Sequence, residues 1–211
     1  MREDGITVNR TRRMALVILL FISGAICIGW ADTWEEIRGA TGTIRTIKAD
    51  FVQEKHLSIL SRPFISKGVF YYQAPDSLRW EYTSPVRSIL LMHKGGIRRY
   101  TETTKGLVEA SRMDHKGMQI ILQEIALWLG GRFSDDPAFD AALKDGRRIV
   151  LTPKEKGLSK MIEHIDLMLS DTPGIIKSVE IYEGPDSYTR LEFLNAKINK
   201  ELEEALFREV S

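Results

Sequence analysis

The sequence predicts an α+β domain built on one long, curled antiparallel sheet. Three observations carry this. Most of the chain after residue 66 alternates apolar and polar residues with the period of strands. Pro, Gly, Asn and Asp clusters punctuate those runs at short intervals. Helical texture is confined to an N-terminal segment and one mid-chain insertion. An antiparallel sheet this long must curl, split or close. With so little helix, and with several strands apolar on one face only, a curled sheet is favoured over a two-layer sandwich.

The elements follow in order. Trp34, Ile37, Ile44 and Ile47 recur at helical spacing, so Asp32 to about His56 is expected to be an amphipathic helix with Asp32 or Thr33 as N-cap and a weak point at Gly39 and Gly42. A meander follows: Val69–Tyr72, Leu78–Tyr82, Ser88–Met92, Ile97–Thr101 and a further strand over Leu107–Arg112. Its turns are Gln73-Ala74-Pro75-Asp76, Thr83-Ser84-Pro85 and Lys94-Gly95-Gly96. Gly117–Leu129 is rich in helix formers and stops at Gly130-Gly131, and Asp136–Lys144, opening on Asp-Pro, is expected to be a second short helix. Strand texture resumes at Arg148–Leu151, Met161–Leu169, Ile175–Tyr182 and Tyr188–Leu194. Glu201, Glu203 and Glu204 mark a solvated tail.

The front of the chain has a different character. Arg10, Arg12 and Arg13 precede an apolar run from Met14 to Trp30, and small residues flank Trp30. Residues 1–31 therefore have the form of a Sec signal peptide, with 32–211 as the exported domain. The run also lies at the lower edge of the ~17–25 residues of a spanning helix, so an uncleaved anchor is the alternative. Lipid attachment at Cys27 is disfavoured by bulky Ile26 immediately before it.

Removing residues 1–31 takes away a net charge of +2 and the only cysteine, leaving a domain of net charge −1. A nearly neutral domain lacks the basic footprint that nucleic acid requires. It has no disulfide and no thiol nucleophile, and about 180 residues bury a sizeable core without such staples. The sequence also lacks the patterns of catalysis. His56, His93, His115 and His164 fit no HExxH or HxH spacing, and there is no G-x-S-x-G, P-loop or GxGxxG. Asp114-His115 and His164/Asp166 are the nearest things to a catalytic pair, and each is better read as a loop or a polar strand edge. Lys154, Lys156 and Lys160 read as a solubilising loop, and Arg98 and Arg99 as exposed or poised for an anionic group. No enzyme activity, cofactor or metal is expected.

What stands out is apolar. Phe70, Tyr72, Leu78, Trp80, Tyr82 and Leu90 lie on strands, with Arg79, Glu81 and Thr83 expected to face water from the other side of the same strand. Met118, Ile121, Leu122, Ile125 and Leu129 lie on the mid-chain helix. By pattern alone, a sheet face covered by a helix is a core.

The order of these residues adds more. Phe51-x-Gln53, then Gly68-x-Phe70, then Pro75-x-x-Leu78-Arg79-Trp80-x-Tyr82-x-x-Pro85 resembles the periplasmic outer-membrane lipoprotein carrier family, LolA. The likeness extends through Ser88-Ile89-Leu90, Gly95-Gly96 with Tyr100, and Ile149–Lys154, across nearly the whole of 32–211. It implies a strongly curved, unclosed half-barrel with a helical lid and an apolar cavity between them. The six strand residues and five helix residues above would then bind lipid. It further implies a periplasmic monomer that takes acylated lipoprotein or a related lipid from an inner-membrane ABC transporter to an outer-membrane receptor. Ala74 departs from the family pattern, standing where many members carry an Arg important for cargo release. Arg98 or Arg99 replaces an expected aromatic. A sensing or scaffolding module on the same fold, with a filled cavity, and an outer-membrane receptor lipoprotein remain as alternatives.

Overall fold

The computed structural model describes residues 33–110, 124–125, 128, 136–144, 147–172 and 174–210. The expected leader over 1–31, and Asp114-His115, lie outside the described residues. Helix α1 spans Trp34–Gly42. Six strands follow: β1 Thr46–His56, β2 Phe64–Gln73, β3 Ser77–Ser84, β4 Ser88–His93, β5 Gly96–Thr103 and β6 Gly106–Glu109. After the helical residues Glu124, Ile125 and Trp128 come β7 Phe139–Lys144, β8 Arg148–Pro153, β9 His164–Leu169, β10 Ile176–Gly184 and β11 Ser187–Ile198. All eleven form one antiparallel sheet in the order β6-β5-β4-β3-β2-β1-β11-β10-β9-β8-β7. Among the described residues β6 and β7 end this order and do not pair with each other, so the sheet is an unclosed curved half-barrel, as the sequence predicts.

Two assignments need correction. The predicted helix over Asp32–His56 ends at Gly42, and from Thr46 the chain becomes β1. Thr33 does cap the helix: its Oγ1 accepts from the Glu36 N–H at 3.2 Å, and the Glu36 carboxylate accepts from the Thr33 N–H at 2.8 Å. Beyond Gly42 the β-branched Thr43, Ile44, Thr46 and Ile47 favour extended backbone. Ile47, Ala49 and Phe51 then point inward with period two, and the three-residue interval from Ile44 to Ile47 only imitates a helix. The second correction is Asp136–Lys144, which forms strand β7 rather than a helix. Asp136 Oδ1 accepts from the N–H groups of Ala138 and Phe139 at 2.8 and 3.1 Å, the bonds of a helix N-cap. The chain nevertheless leaves this turn extended, because β8 offers a full ladder from Phe139↔Pro153 to Lys144↔Arg148.

Bulges bend the sheet. Ala49 in β1 faces two residues, Asn195 and Ala196, and Asn195 takes the left-handed φ of 54° and donates to the Asp50 carboxylate at 2.9 Å. Between β2 and β3 the register shifts at Lys67/Gly68, beside the Phe51 ring. A Cβ on Gly68 would overlap the Glu81 carbonyl oxygen and lie 2.5 Å from Cζ of Phe51, so only glycine fits.

The main core lies on the concave face, where Ile37 and Ile44 from the N-terminal segment and Ile125 and Trp128 from the mid-chain helix pack against the strands. Phe51 anchors its aromatic part, with ring centroids 4.7 Å from Trp80 and 5.2 Å from Tyr82. A second, smaller core lies on the convex face, where Ile89, Leu91 and Tyr100 meet Leu107 and Val210. There the C-terminal segment, with a 3₁₀ turn at Glu204–Phe207, crosses β3 and β4 as a strap, and Phe207 is fully buried.

The strap overturns the expectation that Arg79 faces water. Arg79 is 5% exposed. Its Nη1 donates to the carbonyls of Leu206 at 3.0 Å and Glu209 at 2.8 Å, while Nε and Nη2 hold Glu81 Oε2 at 2.9 and 2.8 Å. Arg98, next door, donates to the Arg208 carbonyl at 2.6 Å. An arginine fork suits this task because its five donors are fixed in one plane.

Candidate functional site: an apolar cavity under the mid-chain helix

The concave face holds a cavity of about 210 Å³ at the end of the sheet where β1 runs out, where β3 turns into β4, and where β10 turns into β11. Its apolar wall is Trp80, Tyr82, Leu90, Ile125, Ile181 and Leu191. Register explains the convergence. Trp80 pairs with Leu90 across β3 and β4, Leu90 with Arg99 across β4 and β5, and Val179 with Leu191 across β10 and β11, so alternate residues of neighbouring strands share one face.

The polar groups around this wall are Gln53, Lys55, Ser88, Arg99, Glu183 and Thr189. Lys55 Nζ and Glu183 Oε1 form an ion pair at 3.2 Å, and Thr189 donates to the other Glu183 oxygen at 3.3 Å. Tyr82 donates to Gln53 Oε1 at 2.7 Å. Burial pushes the Tyr82 phenol up, against the opposing influence of the Trp80 N–H and the Arg99 charge. Among the described residues the Trp80 Nε1–H, buried in the wall, has no acceptor within ordinary hydrogen-bond geometry.

Behind the cavity the mid-chain helix is fastened to the sheet. Trp128 Nε1 donates to Asp136 Oδ2 at 2.9 Å, and Lys154 Nζ donates to the Asp136 carbonyl at 2.8 Å. Glu124, buried one helical turn before Trp128, has a carboxyl pushed up to about 8 by burial and by the neighbouring Asp136. Among the described residues one of its oxygens has no hydrogen-bond partner.

Of the expected lipid-contacting residues, Trp80, Tyr82, Leu90 and Ile125 are on the cavity wall. Phe70, Tyr72 and Leu78 lie in the packed core away from this cavity, Leu78 with no exposed surface. Phe70 borders a minor gap near Ile47 and Ile176 instead. Met118, Ile121, Leu122 and Leu129 lie outside the described residues. The far wall, Ile181 and Leu191, and the polar groups Gln53, Lys55, Ser88, Glu183 and Thr189 were not among the expected residues. A signal for Ile181 and Leu191 exists in the alternation of Val179, Ile181, Thr189 and Leu191, which puts four inward residues on adjacent strands.

His164 and Asp166 do share a strand face, and each has a structural partner. The His164 ring stacks on Tyr182 with centroids 4.2 Å apart, and Asp166 lies 3.5 Å from Arg148.

The fold is thus an open antiparallel half-barrel whose concave side carries an apolar cavity with polar groups around it. Comparison with known proteins narrows this. Residues 42–209 match the family "Outer membrane lipoprotein carrier protein LolA", and the chain belongs to that family. It is 26% identical over 200 residues to an outer-membrane lipoprotein carrier protein of Methylococcus capsulatus, covering 90% of this chain and 91% of that one. Among solved structures it is similar to the MucA/MucB complex of Pseudomonas aeruginosa, with a TM-score of 0.47, 14% identity, and coverage of 84% of this chain and 60% of that one. A putative outer membrane lipoprotein-sorting protein domain from Vibrio parahaemolyticus matches with a TM-score of 0.41 and 10% identity, covering 82% of this chain and 94% of that one.

Proposed function

We propose that this protein is a periplasmic carrier which shields the acyl chains of lipoproteins, or of a related lipid, between the inner and outer membranes. The observation that carries the proposal is the apolar cavity on the concave face, joined to membership of a carrier family. At about 210 Å³ it exceeds the ~150 Å³ cavity that accepts benzene and falls below the ~300–1,000 Å³ of ordinary ligand pockets. This conformation therefore admits part of one chain. Fuller loading requires the helical residues around Ile125 to move away from the sheet.

The energetics fit a carrier that needs no chemistry of its own. Burying acyl chain is worth about 0.8 kcal/mol per methylene. Three chains taken from water would exceed the practical ceiling of about 18–21 kcal/mol for non-covalent binding. The relevant comparison is cavity against membrane or against a partner's cavity, where the difference is small and reversible. An inner-membrane ABC transporter would supply the energy for loading, and an outer-membrane receptor would take the cargo.

The test is native mass spectrometry with lipid extraction on residues 32–211 purified from a membrane-containing host, with uptake of a fluorescent acyl probe measured alongside. Ser88→Trp and Thr189→Phe, which fill the cavity from its polar side, should lower probe affinity at least tenfold while the fold is retained. Leu78→Glu would report only on stability, because Leu78 is in the packed core. A clean apo mass with no probe uptake would point instead to a sensing or scaffolding module.

A further inference from the structure

The β1–β2 hairpin tip is the most exposed apolar feature among the described residues. Ile59 is 86% exposed, Leu60 50%, Phe64 53% and Ile65 48%. Monomeric domains scatter single apolar side chains over their surfaces, but four within seven residues on one tip are a patch. The tip is built to stand out. The Leu60 N–H closes a turn on the Leu57 carbonyl at 2.9 Å, and the Ser58 N–H is held by Ser187 Oγ of the β10–β11 turn at 3.2 Å.

Position and charge say what it meets. Phe64 pairs with Lys55, and Ser66 with Gln53, so the tip continues directly from two residues of the cavity wall. Val86, 56% exposed, lies on the neighbouring β3–β4 turn beside the wall residues Tyr82 and Ser88. Between Leu57 and Lys67 the charged residues are Arg62 and Lys67, both exposed, with no carboxylate. Of the acidic groups on this rim, Glu183 is held by Lys55, Glu54 lies 3.6 Å from His56, and Asp186 is on the adjacent turn. Exposed apolar side chains interleaved with cations suit the interface of an anionic bilayer.

We infer that the β1–β2 hairpin tip inserts Ile59, Leu60 and Phe64 into the surface of an anionic lipid bilayer and so brings the cavity mouth against the membrane. The inference goes beyond the carrier reading, since it concerns where the cavity is presented rather than what fills it.

The test uses residues 32–211, which contain the whole sheet and both cores and form one compact unit. Co-flotation is measured with vesicles of phosphatidylethanolamine and phosphatidylglycerol, and with neutral phosphatidylcholine vesicles. Binding to the anionic vesicles is expected, weakened by salt. The double variant Ile59→Asp/Leu60→Asp should lower partitioning at least tenfold, and Arg62→Ser/Lys67→Ser should lower it about fivefold for each cation removed. These side chains are exposed, so both variants should melt like the parent and take up soluble acyl probe equally well. Retained probe uptake with lost flotation is the supporting result. Flotation of the Asp variant equal to the parent, or no flotation of the parent, would overturn the membrane assignment and leave a protein as the occupant. Probe uptake, measured without vesicles, separately reports whether the cavity binds acyl chains at all.

Discussion

Replacing Arg79 by Met distinguishes a surface arginine from a structural one. If Arg79 merely projected into water, the change would alter stability by no more than about 0.5 kcal/mol. The structure instead places its guanidinium under the C-terminal strap, on two carbonyls and on a Glu81 carboxylate that is itself largely buried. Met fills most of the same volume but leaves Leu206 and Glu209 without their donor, and leaves Glu81 with Arg87, 3.0 Å away, as its remaining ion-pair partner. Removing one member of a buried ion pair costs about 3–5 kcal/mol. That is a large part of the ~5–15 kcal/mol that holds a domain together. In urea, where stability falls by about 1–3 kcal/mol per molar, the midpoint should drop by about 1–5 M. The same variant should become sensitive to trypsin after Arg208, because the strap has lost its anchor. Adding Glu81→Met should recover part of the loss, since replacing both charges leaves no carboxylate stranded. A midpoint within about 0.3 M of the parent, with the strap still resistant, would refute the account of Arg79 as the strap's anchor.

Three further outcomes are expected. Gly68→Ala should destabilise by more than the ~1–3 kcal/mol of ordinary overpacking, because the new methyl meets the β3 backbone and the Phe51 ring at once; a soluble domain with the parent melting temperature would contradict this. Glu124, with its carboxyl raised to about 8 from an ordinary 4.5, favours the fold when protonated, so its contribution is complete below pH 4.5 and lost as pH rises through about 8. Urea midpoints across that window should fall in the parent relative to Glu124→Gln, and parallel curves for the two would count against the buried, protonated carboxyl. Thr33→Ala should cost about 1 kcal/mol through loss of the capping box, readable as a small shift in thermal midpoint, with Thr33→Ser restoring most of it.

The sequence was most legible where one physical rule acted alone. Leu78, Trp80 and Tyr82 alternate on a face buried by the fold, and Pro and Gly clusters marked most of the strand ends. It was least legible where two rules competed. β1 begins with a three-residue apolar interval that a helix and a strand can both produce, and only the ladders from β2 and β11 decide between them. β7 opens with an aspartate that caps backbone N–H groups as it would in a helix, and its identity as a strand comes from β8. The cavity was half visible. Trp80, Tyr82 and Leu90 could be picked out from one meander, but Ile181 and Leu191 come from strands more than ninety positions away in sequence, and nothing local says which strands curl around to face each other. Arg79 was misjudged because period-two alternation assigns the odd face to water, and that holds only if nothing returns to cover it. Phe207 and Val210, apolar residues in a tail rich in glutamate, were the available clue.

The strand order has a consequence for how the chain reaches this shape. β1 is made first yet sits in the middle of the sheet, between β2 and the last strand, β11. Even the Asn199 side chain that holds the entrance to β1 comes from 154 positions downstream, bonding the Arg45 N–H at 2.7 Å. As residues emerge in order, β1 to β6 can pair as successive hairpins, while the outer side of β1 stays an unpaired row of N–H and C=O groups until nearly all of the chain is available. An open edge of eleven residues is a template for pairing with the wrong strand. Closing it joins the most distant parts of the sequence, the kind of step that makes folding slow. The molecule is therefore most vulnerable to misassembly just before completion, and truncation within β11 should leave two self-paired meanders with no seam between them.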